Sequence, residues 1–121
     1  MHIADLAKPL SAEQLFAETQ RLVLEVEMLI NNAGIGSGGE FSELSLKSAL
    51  DLIQLNISSL VALTHLFLPQ MQKRKTGKII NVASMAAFMP VPYMAIYTAS
   101  KVLCGRLPRP LPRNVNLTIF K

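Results

Sequence analysis

Short apolar runs alternate with stretches of helical period along this chain, and no other feature limits its fold so tightly. Val26, Met28, Leu29 and Ile30 form one run, closed by Asn31-Asn32-Ala33-Gly34. Lys78-Ile79-Ile80-Asn81-Val82-Ala83-Ser84 reads as a buried strand, Val115–Phe120 as a final one, and His2–Leu6 as the tail of another with Asp5 at its exit. Between them, Ser11 is the expected N-cap of a helix, with Gln14 closing a capping box. Leu15, Phe16, Thr19, Leu22 and Val23 supply that helix with one apolar stripe. Ser45 to about Lys73 is expected to be one long helix, apolar on most faces and so mostly buried, kinked or closed near Pro69. A last helix begins near Tyr93–Ile96, and Pro108, Pro110 and Pro112 forbid its continuing. Strand and helix in alternation predict a parallel sheet with crossover helices in a single α/β domain of 121 residues.

Composition narrows the function classes. Half the residues are apolar and 17% are charged, which is globular rather than disordered. The lone cysteine, Cys104, excludes an internal disulfide framework and a cysteine-only zinc cluster, and His65 has no second His or Cys at ligand spacing. No metal site is expected. Cys104 reads as a buried small side chain, and a single thiol fits a reducing, cytoplasmic location. Met1-His2-Ile3-Ala4-Asp5 has neither the basic start nor the apolar core of a secretory leader. Leu50–Met71 holds Asp51, Gln54, Asn56, Thr64, His65 and Gln70, too polar a set for a bilayer span.

The net charge of +4 is unevenly spread: all eight acids lie at or before Asp51, while residues 57–121 carry nine bases. All of those bases but Lys101 and Lys121 gather in two short groups, Lys73-Arg74-Lys75-Thr76-Gly77-Lys78 and Arg106/Arg109/Arg113. Each sits where a turn is expected, so they read as solvated turns and no nucleic-acid partner is expected.

Gly34-Ile35-Gly36-Ser37-Gly38-Gly39 matches G-x-G-x-x-G after a predicted strand. A dinucleotide turn of that form needs a helix N-terminus directly behind it to meet the pyrophosphate. Here the next helix starts only after Phe41-Ser42-Glu43-Leu44, and the next acid, Asp51, lies inside it. The segment reads instead as a loop that lets something approach closely.

A set of residues carries more weight than this motif. Tyr97 and Lys101 are four apart and share a helical face, Ser84 ends a strand thirteen residues earlier, and Asn31-Asn32-Ala33-Gly34 ends the strand before that. By chance a Tyr-x-x-x-Lys pair arises in roughly one such chain in ten and the four-residue run in roughly one in a thousand, so the combination decides. Taken singly, Asn56 reads as a satisfied buried amide, Ser84 as a turn residue, and Tyr97 with Lys101 as a helix-surface pair.

Asn-Asn-Ala-Gly, Leu55-Asn56-Ile57, Gly77-Lys78-Ile79-Ile80-Asn81-Val82-Ala83-Ser84 and Tyr97-x-x-x-Lys101 together resemble the short-chain dehydrogenases/reductases. The likeness covers about residues 2–104, with residues 105–121 divergent. It implies a partial doubly wound Rossmann-type domain whose catalytic set falls on Asn56, Ser84, Tyr97 and Lys101. The implied cofactor is NAD or NADP, met by Asp5 beside the adenine and by Asn32, Ala33, Gly34, Tyr97 and Lys101 on the ribose side. The implied reaction interconverts the carbonyl and alcohol forms of a small molecule. A tyrosine hydroxyl alone is a poor proton exchanger at neutral pH, and an ammonium one helical turn away favours its ionised form. Ser84 would hold the substrate oxygen, and Asn56 would position a water linking Lys101 to solvent.

The resemblance also implies an opening strand, a Thr-Gly-x-x-x-Gly-x-Gly turn and a helix, and a substrate-covering segment after the final strand; none of these is among the 121 residues. The chain by itself is therefore expected to be inactive and prone to self-association. A rival reading makes it a non-catalytic interaction module, associating with a second copy or a full-length relative through helix 45–72. Leu63 and Phe67 are then expected on that helix's exposed side.

Overall fold

The computed structural model describes residues 3–36, 38–89 and 91–107, and the backbone of residues 116–120. Met1, His2, Ser37, Pro90, the stretch 108–115 with Pro108, Arg109, Pro110, Pro112 and Arg113, and Lys121 lie outside the described residues.

Three parallel strands make the sheet: β1 (Met28–Asn31), β2 (Lys78–Val82) and β3 (Asn116–Phe120), in the order β1-β2-β3. Met28 faces Lys78 and Asn31 faces Asn81 across the first pair; Lys78 faces Asn116 across the second. The crossovers are helical, as parallel pairing requires. A long helix, Leu46–Arg74, joins β1 to β2, and α4 (Ala95–Arg106) lies between β2 and β3. Helix α1 (Ser11–Arg21) precedes β1 and packs on the long helix, with the Phe16 and Phe67 rings edge-on at 5.0 Å.

Residues 3–6 are not a strand. A lone strand leaves its backbone groups unpaired, and no described strand offers a partner here. Instead the segment turns through Asp5, whose carboxylate accepts from the Ala7 N–H at 3.2 Å, and the Ser59 hydroxyl donates to the Leu6 carbonyl.

The capping box at Ser11 does not form. Leu10 takes a left-handed backbone (φ 63°) and its carbonyl starts the helical ladder by accepting from Gln14 N, so Ser11 is already inside α1 and buried. At the other end Leu24 N bonds back to Thr19 O, which turns Leu22 and Val23 out to solvent and off the expected stripe.

The long helix is capped by Ser45, whose hydroxyl accepts from Ser48 N. It runs as α2 (Leu46–Ile53), one π-helical turn (Gln54–Ser58) and α3 (Ser59–Arg74). Pro69 does not close it; five more residues stay helical before Lys75 adopts a left-handed cap. Its burial is one-sided. Leu52, Leu60, Leu63, Phe67 and Met71 face inward, while Leu46, Leu50 and Val61 face water. Leu63 and Phe67 are thus core residues, contrary to the expectation that they line an exposed face. By length and composition alone Leu46–Arg74 would suffice to cross a membrane, with a mean hydropathy of 1.5 in its most apolar window. Its inward face is spent on the protein's own core, which also takes in Asn56, Ser59 and Thr64.

Ile79 and Asn81 lie two apart on β2 and share one face of the sheet, under α3 and α4 respectively. Met28 and Ile30, on the other face of β1, are exposed, Ile30 to 55%. The described residues therefore form one half of a doubly wound arrangement, with helices covering one face only. An apolar bare face beside an unpaired strand edge is a template for association. We expect the chain to self-associate in sedimentation experiments, and Ile30→Lys to shift it toward monomer. If Leu50→Lys does so while Ile30→Lys does not, the helix flank is the contact instead.

Candidate functional site

The carboxyl ends of β1 and β2 and the first turns of α4 meet at one place. There Lys101 is the central charge. Its side chain is only 8% exposed, its ammonium donates to the Val82 carbonyl at 3.1 Å, and its Nζ lies 5.8 Å from the centre of the Tyr97 ring. Among the described residues no carboxylate pairs with it.

Asn56 reaches this place from the π-helical turn of the long helix. A hydrogen-bonded span one residue wider than in an α-helix re-aims a side chain, and such turns recur at functional sites. The Asn56 amide is bonded at both ends: Oδ1 accepts from Ile35 N at 2.9 Å, while Nδ2 donates to Ile35 O at 2.8 Å and to Ser100 Oγ at 3.1 Å. These bonds make Asn56 a positioning residue for the loop after β1. Gly34, at the start of that loop, comes so close that a Cβ there would lie 3.2 Å from Asn56 Oδ1 and 3.3 Å from Lys101 Nζ. A side chain there would require both neighbours to give by a few tenths of an ångström.

Tyr97 is half-buried, with its ring edge against Gly36: a Cβ there would stand 3.9 Å from Tyr97 Cδ2. Ser84 lies just past the end of β2, which stops at Val82 rather than at Ser84 as the sequence suggests, and caps the short 3-10 turn Met85–Ala87, its Oγ accepting from Ala86 N at 3.2 Å. No hydrogen bond joins Ser84 to Tyr97 among the described residues. An accepting oxygen leaves the Ser84 hydroxyl proton free to donate elsewhere.

Asn32, Ala33 and Gly34 follow β1 and are exposed. Asn32 and Ala33 join Leu6 and Ser59 around a small cavity of about 30 Å³. Asp5, by contrast, is exposed and spends its carboxylate within its own turn, 3.8 Å from Lys8 Nζ. The structure thus gathers Gly34, Asn56, Tyr97 and Lys101, places Ser84 at the end of the neighbouring strand, and leaves Asp5 outside the cluster.

Three residues that the sequence reading left without a role support the site. Ser100 is fully buried and donates to the Tyr97 carbonyl at 2.7 Å while accepting from Asn56, which ties α4 to the long helix. Asn31 and Asn81, partners across the sheet, are buried and bonded through Asn31 Nδ2 to Asn81 Oδ1 at 2.9 Å; Asn31 also donates to Thr64. A signal for them existed: two amides inside otherwise apolar strands imply a specific pairing, because an unbonded buried amide is costly.

Cys104, one turn past Lys101 and buried, donates weakly to the same Val82 carbonyl. Burial pushes its thiol up from the ordinary range, opposed in part by the Lys101 charge. It is held as an inert thiol. No cluster of three His, Cys, Asp or Glu side chains that could hold a metal occurs among the described residues.

Beyond Tyr97, loop residues Gly38–Leu44 and the start of α4 enclose a cleft of about 510 Å³.

Comparison with known proteins identifies the family and the fold. Residues 2–116 match the short chain dehydrogenase family. The ketoacyl reductase HetN of Nostoc is 38% identical over 87 residues, covering 72% of this chain and 30% of that protein. The 3-ketodihydrosphingosine reductase of Bacteroides thetaiotaomicron is 35% identical over 106 residues, covering 84% and 38%. The chain thus spans about a third of the length of these two relatives. Among solved structures, a metagenomic short-chain oxidoreductase in complex with NADP superposes with a TM-score of 0.88 at 29% identity, covering 98% of this chain and 56% of that one. A short-chain dehydrogenase from Streptomyces avermitilis gives 0.84 at 25% identity, covering 95% and 44%. With the motifs, the parallel sheet and the Tyr97–Lys101 pair in place, these likenesses settle its kinship: the chain belongs to the short-chain dehydrogenase family.

Proposed function

We propose that the chain carries the catalytic portion of an oxidoreductase that interconverts a carbonyl and an alcohol with NAD(P)(H), Tyr97 exchanging the proton. The observation that supports this best is the buried ammonium of Lys101 beside the Tyr97 ring, with no counter-ion among the described residues. Burying an unpaired cation costs several kcal/mol, and such groups concentrate where their charge is used.

The residues present fit the ribose half of a nicotinamide dinucleotide. Lys101 Nζ has three donors and gives one to Val82, the backbone of Gly34 packs close beside that ammonium, and Asn32 and Ala33 extend the exposed surface there. When bound, the nicotinamide supplies or accepts the hydride. In the reducing direction Tyr97 Oη gives its proton to the carbonyl oxygen; in the oxidising direction it takes the alcohol proton. The Lys101 ammonium stabilises the oxyanion left on Tyr97. Ser84 Oγ, whose hydrogen is free, donates to the substrate oxygen. Asn56 and Ser100 keep the loop and α4 in register so that these groups converge. The single buried thiol suits a cytoplasmic setting.

The 121-residue chain alone is expected to show no measurable NAD(P)-dependent turnover. A glycine turn against a helix N-terminus, the usual grip on a pyrophosphate, is not among its residues. Several charge-assisted hydrogen bonds at about 1.5–3 kcal/mol each are missing from its hold, which lowers affinity by orders of magnitude. Completing it with the strand–turn–helix units and C-terminal helix of an NADP-binding relative restores cofactor binding and turnover. Turnover by the chain alone, or a completed, folded chain that binds no nicotinamide cofactor, overturns this reading. The second reading, an association module, is supported by the exposed Leu46, Leu50 and Val61; the sedimentation comparison of Leu50→Lys with Ile30→Lys decides it.

A further inference from the structure

The loop after β1 is laid along the site in order. Gly34 touches the Asn56–Lys101 pair, Gly36 abuts the Tyr97 ring, and Gly38–Leu44 then forms one wall of the 510 Å³ cleft. Tyr93, Ala95 and Ile96, within one turn before Tyr97, form the other wall. The two walls are pinned together: Gly39 N donates to the Tyr93 carbonyl at 3.0 Å, and Tyr93 holds a left-handed backbone (φ 61°) that a bulky residue seldom adopts. The Glu40 carbonyl accepts from both Glu43 N and Leu44 N, so the turn that presents Glu40 and Phe41 is fixed as well.

The cleft has the volume of a small-molecule site. Phe41, Leu44, Tyr93, Ala95 and Ile96 make its lining aromatic and aliphatic, and among the described residues Glu40 is the only charged one that lines it. No cation offsets that carboxylate among the described residues.

We propose that this cleft seats the part of the substrate remote from the reacting carbonyl, and that Glu40 sets its charge class. A carbonyl held at Tyr97 sends the rest of the molecule along the loop into the cleft. Hydrocarbon gains by leaving water there, whereas a carboxylate or phosphate meets the unpaired Glu40 charge and an apolar wall that cannot solvate it. The substrate class is a neutral, hydrocarbon-rich ketone or secondary alcohol, not a keto acid or a phosphorylated sugar. This rests on the Tyr97 reading for its direction, but the cleft's preference is measurable without turnover.

Two probes of equal length separate the possibilities: 2-octanone, and 7-oxo-octanoate with a carboxylate at its far end. Saturation-transfer NMR on the 121-residue chain is expected to show binding of 2-octanone and little of the anion. Glu40→Lys, a change at an exposed position, shifts the relative affinity toward the anion by about tenfold; Phe41→Asp weakens the neutral ketone. The same two ketones are compared by kcat/KM in the chain completed with a relative's missing units, where Glu40→Lys moves the ratio in the same sense. Equal binding of both probes, no binding of either, or a ratio indifferent to Glu40→Lys overturns the proposal. Charge-selective binding without turnover in the completed chain leaves the cleft assignment standing and removes the Tyr97 chemistry. Turnover with a ratio unmoved by Glu40→Lys does the reverse.

Discussion

Tyr97→Phe in the completed enzyme is expected to lower kcat by roughly 10²–10⁴-fold, the usual worth of a positioned acid or base, while leaving thermal stability and cofactor binding close to native. The substitution removes one oxygen and keeps the ring that packs against Gly36 and Lys101, so the loop after β1 loses no contact that defines the site. Lys101→Met makes the complementary comparison. It removes the buried cation and the 3.1 Å bond to Val82 O, yet Met fills most of the same volume and escapes the desolvation that a buried ammonium pays. Its melting temperature should therefore be unchanged or higher, although turnover falls with that of Tyr97→Phe and nicotinamide affinity falls as well. Activity lost at no expense in stability marks a group kept for chemistry. If Lys101→Met instead melts the fold, or Tyr97→Phe retains near-native kcat, the assignment of the proton to Tyr97 is wrong.

The parts of this molecule that the sequence disclosed are those in which one local pattern has a single structural solution. The run from Val26 to Ile30 before Asn31, the β-branched Ile79-Ile80 pair and the Tyr97–Lys101 spacing on α4 each became the expected element within a residue or two. Ser45 was legible as a start because a hydroxyl three residues before a backbone N–H has one capping geometry, and that bond is present. Misread elements depended on what lies across from them. Residues 3–6 have strand composition but no described partner. Ser11 looks like a cap until Leu10 takes the left-handed position ahead of it. The long helix is apolar nearly all round, so the sequence could not say which side is buried; the sheet and α1 chose the side with Leu63 and Phe67. The site divides in the same way. The sequence names Tyr97, Lys101, Ser84 and Asn56 together, but the hold of Asn56 on the loop could not be read from it, because Ile35, the backbone it grips, is twenty-one residues away. The cleft was invisible for the same reason, as its two walls are joined by the Gly39–Tyr93 bond between distant segments.

Gly77→Ala is expected to be the most destabilising single methyl that can be added to the described residues. Helix α3 ends at a left-handed Lys75, and Thr76 N bonds back to the Met71 carbonyl at 3.2 Å, so the chain must reverse within two residues to enter β2 at Lys78. Gly77 makes that reversal at φ +156°. A Cβ there would lie 2.5 Å from Met71 Cγ and 2.7 Å from Met71 Cβ. Met71 has no room to retreat: it is 0% exposed and sits in the cluster of Ala12, Leu63, Phe67 and Ile79. Backbone strain of about 1–3 kcal/mol and overpacking of about 1–3 kcal/mol add to roughly 2–6 kcal/mol, a large fraction of the 5–15 kcal/mol typical of a whole domain. The consequence reaches the site, because β2 carries Val82 and Ser84 to it. Met71→Ala alone costs about 2–5 kcal/mol as a cavity. Combined with Gly77→Ala it removes the side-chain atoms that the new methyl strikes, so the double variant should be less destabilised than the sum of the two. Urea denaturation of the four proteins in the completed enzyme measures that difference. A Gly77→Ala loss under about 1 kcal/mol, or strict additivity with Met71→Ala, would mean that the turn yields where the packing says it cannot.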